Sequence, residues 1–301
     1  MEIVLKGELV VRPAKLSRLV ANPETPALLR GEIWVNPDVL AEAGFDRGPK
    51  GLVRFASSLG AHICFFHWPE SVMVSDLKEL LDLARAADVD CGLTINGPFQ
   101  RLTLTRNVLD LLQELHRDPS HFEALLAKEM EEIAKTLDLL NGSEIELIMI
   151  TENVAYTGGL YFSPEVFRKV LVPFYSSLVS QLSSTRIALG WHSDGDVSPL
   201  LPDLVECGLR FFSLEPECVD LLKFKQSYRS RVSLVGGIRA AWFAGKQLDQ
   251  DEQRQYLLEI GALLKEGGLI LASSCGLYSP AFLLNLRQLY RLAEGLIPSS
   301  A

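Results

Sequence analysis

Eight short runs rich in Val, Ile, Leu, Phe or Trp, separated by stretches with helical periodicity, set the narrowest limit on what this chain can fold into. They are Glu32–Val35, His62–Phe66, Cys91–Ile95, Glu146–Ile150, Arg186–Trp191, Leu209–Leu214, Val232–Val235 and Leu269–Ala272. Most lack the apolar–polar alternation of a half-exposed strand, as strands buried on both faces of a parallel sheet do. The intervening stretches carry helix signals. Leu77, Leu80, Leu81 and Ala84 form one apolar stripe behind Ser75, and Phe122, Leu125, Leu126 and Ile133 form another behind Asp118-Pro119. Ser163-Pro164, Ser198-Pro199 and Ser279-Pro280 repeat the device of a capping hydroxyl followed by a proline that needs no N–H partner. Asp249 with Glu252 reads as a capping box, and that helix runs to a Gly267-Gly268 stop.

Strand and helix alternating eight times predict an α/β fold, a (β/α)8 TIM barrel. We expect one domain over residues 1–301, with residues 1–30 as a short N-terminal extension. An open doubly wound sheet is the alternative, but no Gly-rich phosphate turn follows the first strand. Hydrophobic residues make up 48% of the chain, enough to fill such a core. A net charge of −9 argues against nucleic acid and against a polybasic membrane anchor. No apolar run reaches the ~20 residues of a membrane span, and the N-terminus does not read as a secretory signal. Five scattered cysteines do not form a disulfide framework. The expectation is a cytoplasmic protein, a monomer or homodimer, acting on a small molecule.

In such a barrel the chemistry sits just past the C-terminal end of each strand. Those positions hold Asn36, His67, Asn96, Glu152 with Asn153, His192 with Asp194, Glu215, Gly236-Gly237 and Cys275. His192 closes the run IALGWH before a sharp Ser-Asp-Gly-Asp turn, and either faces the mouth as a functional group or satisfies the loop. Cys275 is either a ligand or an inert buried thiol. A neutral imidazole, a thiolate and the Asp194 carboxylate would together suit Zn²⁺ with one position open. Glu152 is a candidate acid/base or further ligand, and equally a capped loop carboxylate. His67, Asn96, Tyr156, Glu215 and Arg239 are candidate substrate contacts. His67 could instead stack beside Trp68, and Tyr156 could simply pack.

The stretches ENVAYTGGLYFSPEVFRKVLVPFYSSLV, WHSDGDVSPLLPDLVECGLRFFSLEP, VSLVGGI and LILASSCGLYSP, with GPFQRLTL after the third strand, resemble the uroporphyrinogen decarboxylase superfamily from about Gly51 to Leu296. The resemblance implies a (β/α)8 barrel and one of two activities. Uroporphyrinogen decarboxylase removes carboxyl groups from a tetrapyrrole without a cofactor. Its N-terminal RxxGRY motif is absent here, and Cys275 stands where it has a late histidine. Only Arg101 and Arg239 are visible as guanidinium partners for a polyanion. The other branch comprises cobalamin-dependent methyltransferases. Those that activate thiols hold zinc on H-x-C and a later Cys. His192 and Cys275 match the first and last of these, while Asp194 replaces the middle Cys. The resemblance thus implies a zinc-assisted methyltransferase that exchanges a methyl group with a corrinoid carried by a separate protein. A cofactor-free decarboxylase and a non-catalytic ligand- or corrinoid-protein-binding barrel are the alternatives.

Overall fold

The structure is a computed structural model and describes residues 16–69, 72–244, 247–274 and 276–296. Eight parallel strands form one curled sheet. They are β1 (Leu28–Arg30), β2 (Ile63–Trp68), β3 (Asp90–Asn96), β4 (Leu147–Thr151), β5 (Ala188–Ser193), β6 (Phe211–Leu214), β7 (Ser233–Ile238) and β8 (Leu269–Ser273). Hydrogen-bonded ladders join them in the order β1-β8-β7-β6-β5-β4-β3-β2. The two ends of that order meet, because the His62 N–H donates to the Arg30 carbonyl at 2.8 Å. The fold is a (β/α)8 barrel, as the element order predicts.

Side chains alternate in and out along each strand. Leu29, Ile63, Phe65, Met149, Phe211 and Ile270 pack together in one buried cluster, which fills the barrel. Phe66, Leu93, Ile148, Ile150 and Trp191 belong to a second cluster, where the strands meet the helices. Burying both faces explains why the strands read as unbroken apolar runs.

Most helix starts follow the sequence signals. The Asp118 carboxylate accepts from the His121 N–H at 3.0 Å, and the Ser163 hydroxyl accepts from the Val166 N–H at 3.4 Å. Asp249 and Glu252 cap reciprocally over 3.0 and 2.8 Å. Ser75 and Ser198 differ from expectation: the helix at Ser75 already begins at Val74 and the Ser75 hydroxyl bonds to Asp76, while Ser198 lies inside its first turn, behind Val197, with no side-chain cap. Among the described residues Cys64, Cys91, Cys207 and Cys218 are free thiols.

The first strand also departs from its sequence assignment. It lies at Leu28–Arg30, while Val35 makes a single bridge to Leu277. Beyond Gly31 the backbone leaves the ladder, and the Glu32 side chain takes up the N–H of Ser273 that a strand carbonyl would have met. Asn36-Pro37 then opens a helix, Pro37–Glu42, with the Asn36 side chain accepting from Asp38 N–H at 2.8 Å. The barrel therefore begins inside the stretch expected to be an extension, which also carries a helix at Leu16–Ala21.

Candidate functional site

The C-terminal strand ends surround a cavity of about 200 Å³. Trp34, His67, Asn96, Asn153, His192 and Asp194 line it, together with the side chains of Thr94, Gln100, Thr151, Ser213, Ser273 and Ser274. Leu104 and Tyr278, which also line it, are more than half exposed and form its rim. A larger groove of about 660 Å³ lies on the opposite side, along the N-terminal ends of β3 and β5. We place the site at the smaller cavity, because loops following parallel strands converge there and the N-terminal face of a barrel serves stability.

Strand β5 delivers His192. Its Nδ1 lies 3.0 Å from the Ser213 hydroxyl on β6, which fixes the ring and leaves Nε2 for the other side. Nε2 stands 3.6 Å from Asp194 Oδ1. The loop that carries Asp194 is pinned twice: the Asp194 N–H donates to Asn153 Oδ1 at 3.0 Å, and the Gly195 N–H donates to Glu215 Oε2 at 2.8 Å. Asp194 Oδ1 is buried without a hydrogen-bond partner. Burial pushes this carboxyl above its ordinary range; His192 opposes the rise and Glu215 adds to it. An orphaned carboxylate oxygen facing an imidazole nitrogen costs about 1–3 kcal/mol unless something binds there.

The other expected residues divide. His67 faces the cavity, bonded through Nδ1 to Thr94. Its ring meets Trp34 edge-on at 4.5 Å, while Trp68 is buried among the core residues between strands and helices. Asn96 accepts from the Thr151 hydroxyl at 2.8 Å and also faces the cavity. Glu215 braces the Asp194 loop from behind. Tyr156 lies in a small hairpin (Ala155–Tyr156 with Gly159–Leu160), is 55% exposed, and stacks on Tyr161. Arg239 belongs to a separate groove, bonded to Glu259 and to the Pro216 carbonyl at 2.9 Å each. Neither Tyr156 nor Arg239 lines the cavity.

Glu152 sits just behind the cavity wall and is fully buried. It accepts from the Gln100 N–H and from the Tyr175 hydroxyl, both at 2.9 Å, and Trp191 Nε1 donates to that hydroxyl at 3.2 Å. Burial raises its pKa to about 7, against the pull of these hydrogen bonds. Gly97 makes room for it, because a Cβ there would lie 2.0 Å from Glu152 Oε2.

Cys275 lies outside the described residues, while its neighbours Ser274 and Gly276 both line the cavity. Gly276 has φ +87°, and a Cβ there would meet Trp34 Cβ at 2.8 Å. Among the described residues no three His, Cys, Asp or Glu side chains group as a metal requires. His192 and Asp194 are two such donors standing close together. Sequence reasoning missed Trp34, Gln100, Ser213, Tyr278 and Glu32. A strand-end rule reaches the first residue past a strand, not partners brought in by register or by the next loop.

The model of the uroporphyrinogen decarboxylase family matches residues 74–295. The chain belongs to that family. No curated protein matches this family member by sequence. Among solved structures it resembles a methyltransferase from Methanosarcina mazei, with a TM-score of 0.67 at 16% identity, covering 91% of this chain and 98% of that one. It also resembles a protein from Listeria monocytogenes assigned provisionally as a vitamin-B12-independent methionine synthase, with a TM-score of 0.56 at 14% identity over 94% and 98%. At such identities these likenesses speak to the barrel alone. Among the described residues of this uroporphyrinogen decarboxylase relative, no helix is long and apolar enough to cross a membrane.

Proposed function

We propose that this barrel is a zinc-assisted methyltransferase, exchanging a methyl group between a small uncharged substrate and a corrinoid carried by a partner protein. The observation that carries the reading is the buried Asp194 Oδ1, without a hydrogen-bond partner and 3.6 Å from His192 Nε2, in a small cavity with neither Lys nor Arg among its described lining residues. His192 and Asp194 supply one nitrogen and one oxygen donor, and Cys275 follows the strand end that lines the same cavity. By its chemistry an imidazole, a carboxylate and a thiolate would suit Zn²⁺ with a fourth position open, and of these the described residues supply the first two. Bound zinc would act there as a Lewis acid toward a thiol or a methyl-bearing oxygen.

The remaining residues bind and orient. Ser213 holds His192 in one ring orientation, and Asn153 and Glu215 hold the Asp194 loop. Amides of Asn96 and Gln100 and the hydroxyls of Thr94 and Ser273 offer neutral hydrogen bonds, while Trp34, His67 and Tyr278 supply an aromatic wall. Neither Lys nor Arg stands among the described residues lining the cavity, so an anionic substrate has no counter-charge there. The cavity is also smaller than the ~300–1,000 Å³ typical for drug-sized ligands, and close to the roughly 150 Å³ that holds a benzene ring. A tetrapyrrole with many carboxylates fits neither its size nor its charge, which weighs against the decarboxylase reading. Glu152, raised to about 7 by burial, lies behind the cavity wall and holds the Gln100 loop through the Gln100 N–H.

Elemental analysis of protein purified without a metal-binding tag tests the reading, alongside Asp194→Ala and Cys275→Ser. The expected result is one zinc per chain in the parent and loss of most of it in both variants. A parent that takes up no zinc after reconstitution would overturn the metal-assisted mechanism and turn attention to a binding barrel.

A further inference from the structure

Cys64 and Cys91 stand side by side across the sheet, and none of the roles above uses them. They are register partners on the parallel strands β2 and β3. Both side chains are buried in the cluster where the strands meet the helices, so they lie on the same face. One thiol bonds to the other, with 3.8 Å between the Sγ atoms. Neighbouring strands lie about 4.7–4.9 Å apart, inside the roughly 4.4–6.8 Å of Cα separation that a disulfide spans. Bringing the sulfurs to the ~2.05 Å of a bond therefore needs side-chain rotation and a slight approach of two strands, with the sheet left in register.

The two thiols are unequal. Cys91 lines the groove of about 660 Å³ along the N-terminal ends of β3 and β5, and Cys64 lies behind it. Arg85 and Arg186 line the same groove together with Asp88 and Glu144, so it favours neither sign of charge in a small reagent. The hydrogen bond with Cys91, with burial adding to it, pushes the Cys64 thiol well above its ordinary range. Cys64 therefore keeps its proton while the hydrogen bond lasts, and the first attack on an incoming reagent falls to the thiol at the groove.

We propose that Cys64 and Cys91 form a reversible dithiol–disulfide pair, oxidised by a small-molecule disulfide that enters through the groove. The Cys91 thiolate attacks one sulfur of the reagent, forming a mixed disulfide and expelling one reagent thiolate, which takes up the proton that Cys91 lost. The Cys64–Cys91 hydrogen bond is then gone. Cys64 gives its proton to water, attacks Cys91 Sγ and expels the second reagent thiolate, which is protonated in turn. Two protein thiols are oxidised to one disulfide, and one reagent disulfide is reduced to two thiols. The crosslink closes a loop over the helix Val74–Ala86 and ties β2 to β3. Three positions further on, about 10 Å at the rise of a strand, the same two strands hold His67 and Thr94, bonded to each other at the cavity. The pair thus sits on two strands that build the candidate site, and it acts independently of any metal there.

The test exposes the native protein to bis(2-hydroxyethyl) disulfide, quenches with acid, alkylates the remaining thiols and maps the peptides by mass spectrometry, with circular dichroism confirming that the fold persists. The expected result is the Cys64 peptide joined to the Cys91 peptide in most of the protein, and return of both free thiols after dithiothreitol. In Cys64→Ala the reaction should stop at a mixed disulfide on Cys91, and in Cys91→Ala the Cys64 thiol should stay unmodified. If Cys64→Ala does not fold, the linkage in the parent carries the test. Both thiols left free under native conditions, a linkage that forms only after unfolding in urea, or a lasting mixed disulfide on Cys91 in the parent would each overturn the proposal.

Discussion

Glu32 and Glu152 are built alike and used differently. Each is buried, each accepts from a tyrosine hydroxyl on an outer helix, and each accepts from a backbone N–H beside the cavity. Glu152 takes the Gln100 N–H near the start of the short helix Pro98–Thr103, and so anchors the loop after β3. Glu32 takes the Ser273 N–H, and so replaces a missing strand at the end of β8. The first carboxylate orients a loop. The second completes a sheet. A barrel mouth can thus use one chemical device, carboxylate with phenol and amide, for both of the jobs that irregular backbone leaves undone.

The comparison can be broken in order of expected effect. Gly97→Val drives a side chain into Glu152, and forcing bulk into a filled site costs about 1–3 kcal/mol or more. We expect loss of roughly 3 kcal/mol in denaturant unfolding. A near-neutral result would mean that Glu152 moves freely and is no anchor. Next is the pH dependence. Glu152 holds its proton up to about pH 7, whereas an ordinary Glu releases it near 4.5. The stability that comes from the neutral form is fully present below pH 4.5 and falls as pH rises through about 7. A rise of that size corresponds to about 3 kcal/mol in all. Glu152→Gln should be less pH-dependent than the parent across this window, and parallel curves would sink the assignment. Tyr175→Phe and Tyr290→Phe each delete one hydroxyl to a buried carboxyl, so each should cost about 1–2 kcal/mol. Similar losses support the likeness of the two sites, and a loss confined to one would end it. Smallest is Asn36→Ala, which removes the cap beside the Trp34–Leu277 pairing and should cost about 1 kcal/mol by thermal unfolding.

The pair also shows what a sequence can tell. Glu152 follows the run ending at Ile150–Thr151, and the strand-end rule singles it out together with His192, Asp194, Asn96 and His67; the structure puts the last four on the cavity and Glu152 behind it. Glu32 opens an apolar run, EIWV, that satisfies every local criterion for a strand. Only the partner strand decides that it pairs through its side chain, and Ser273 and Tyr290 lie far along the chain. The barrel itself was readable because burial on both faces and serine–proline caps are local signals. Trp34, Ser213 and Tyr278 reach the cavity through register, a long-range property. Arg239 looked like a mouth residue for the same reason in reverse: it follows β7, but Glu259 and the Pro216 carbonyl draw it outward.

The short first strand has a mechanical consequence. Seven ladders run between neighbouring strands, while at the eighth junction, between β1 and β2, the described residues give two bonds, from the His62 N–H to the Arg30 carbonyl and from the Arg30 N–H to His62 Nδ1. Such a ring is less a closed pipe than a rolled sheet with one stitched seam. Opening at the seam breaks few bonds, while opening anywhere else unzips a ladder. Glu32 lies at one edge of that seam and Cys275 follows the strand beside it. Amide exchange at His62 would report on opening at this seam.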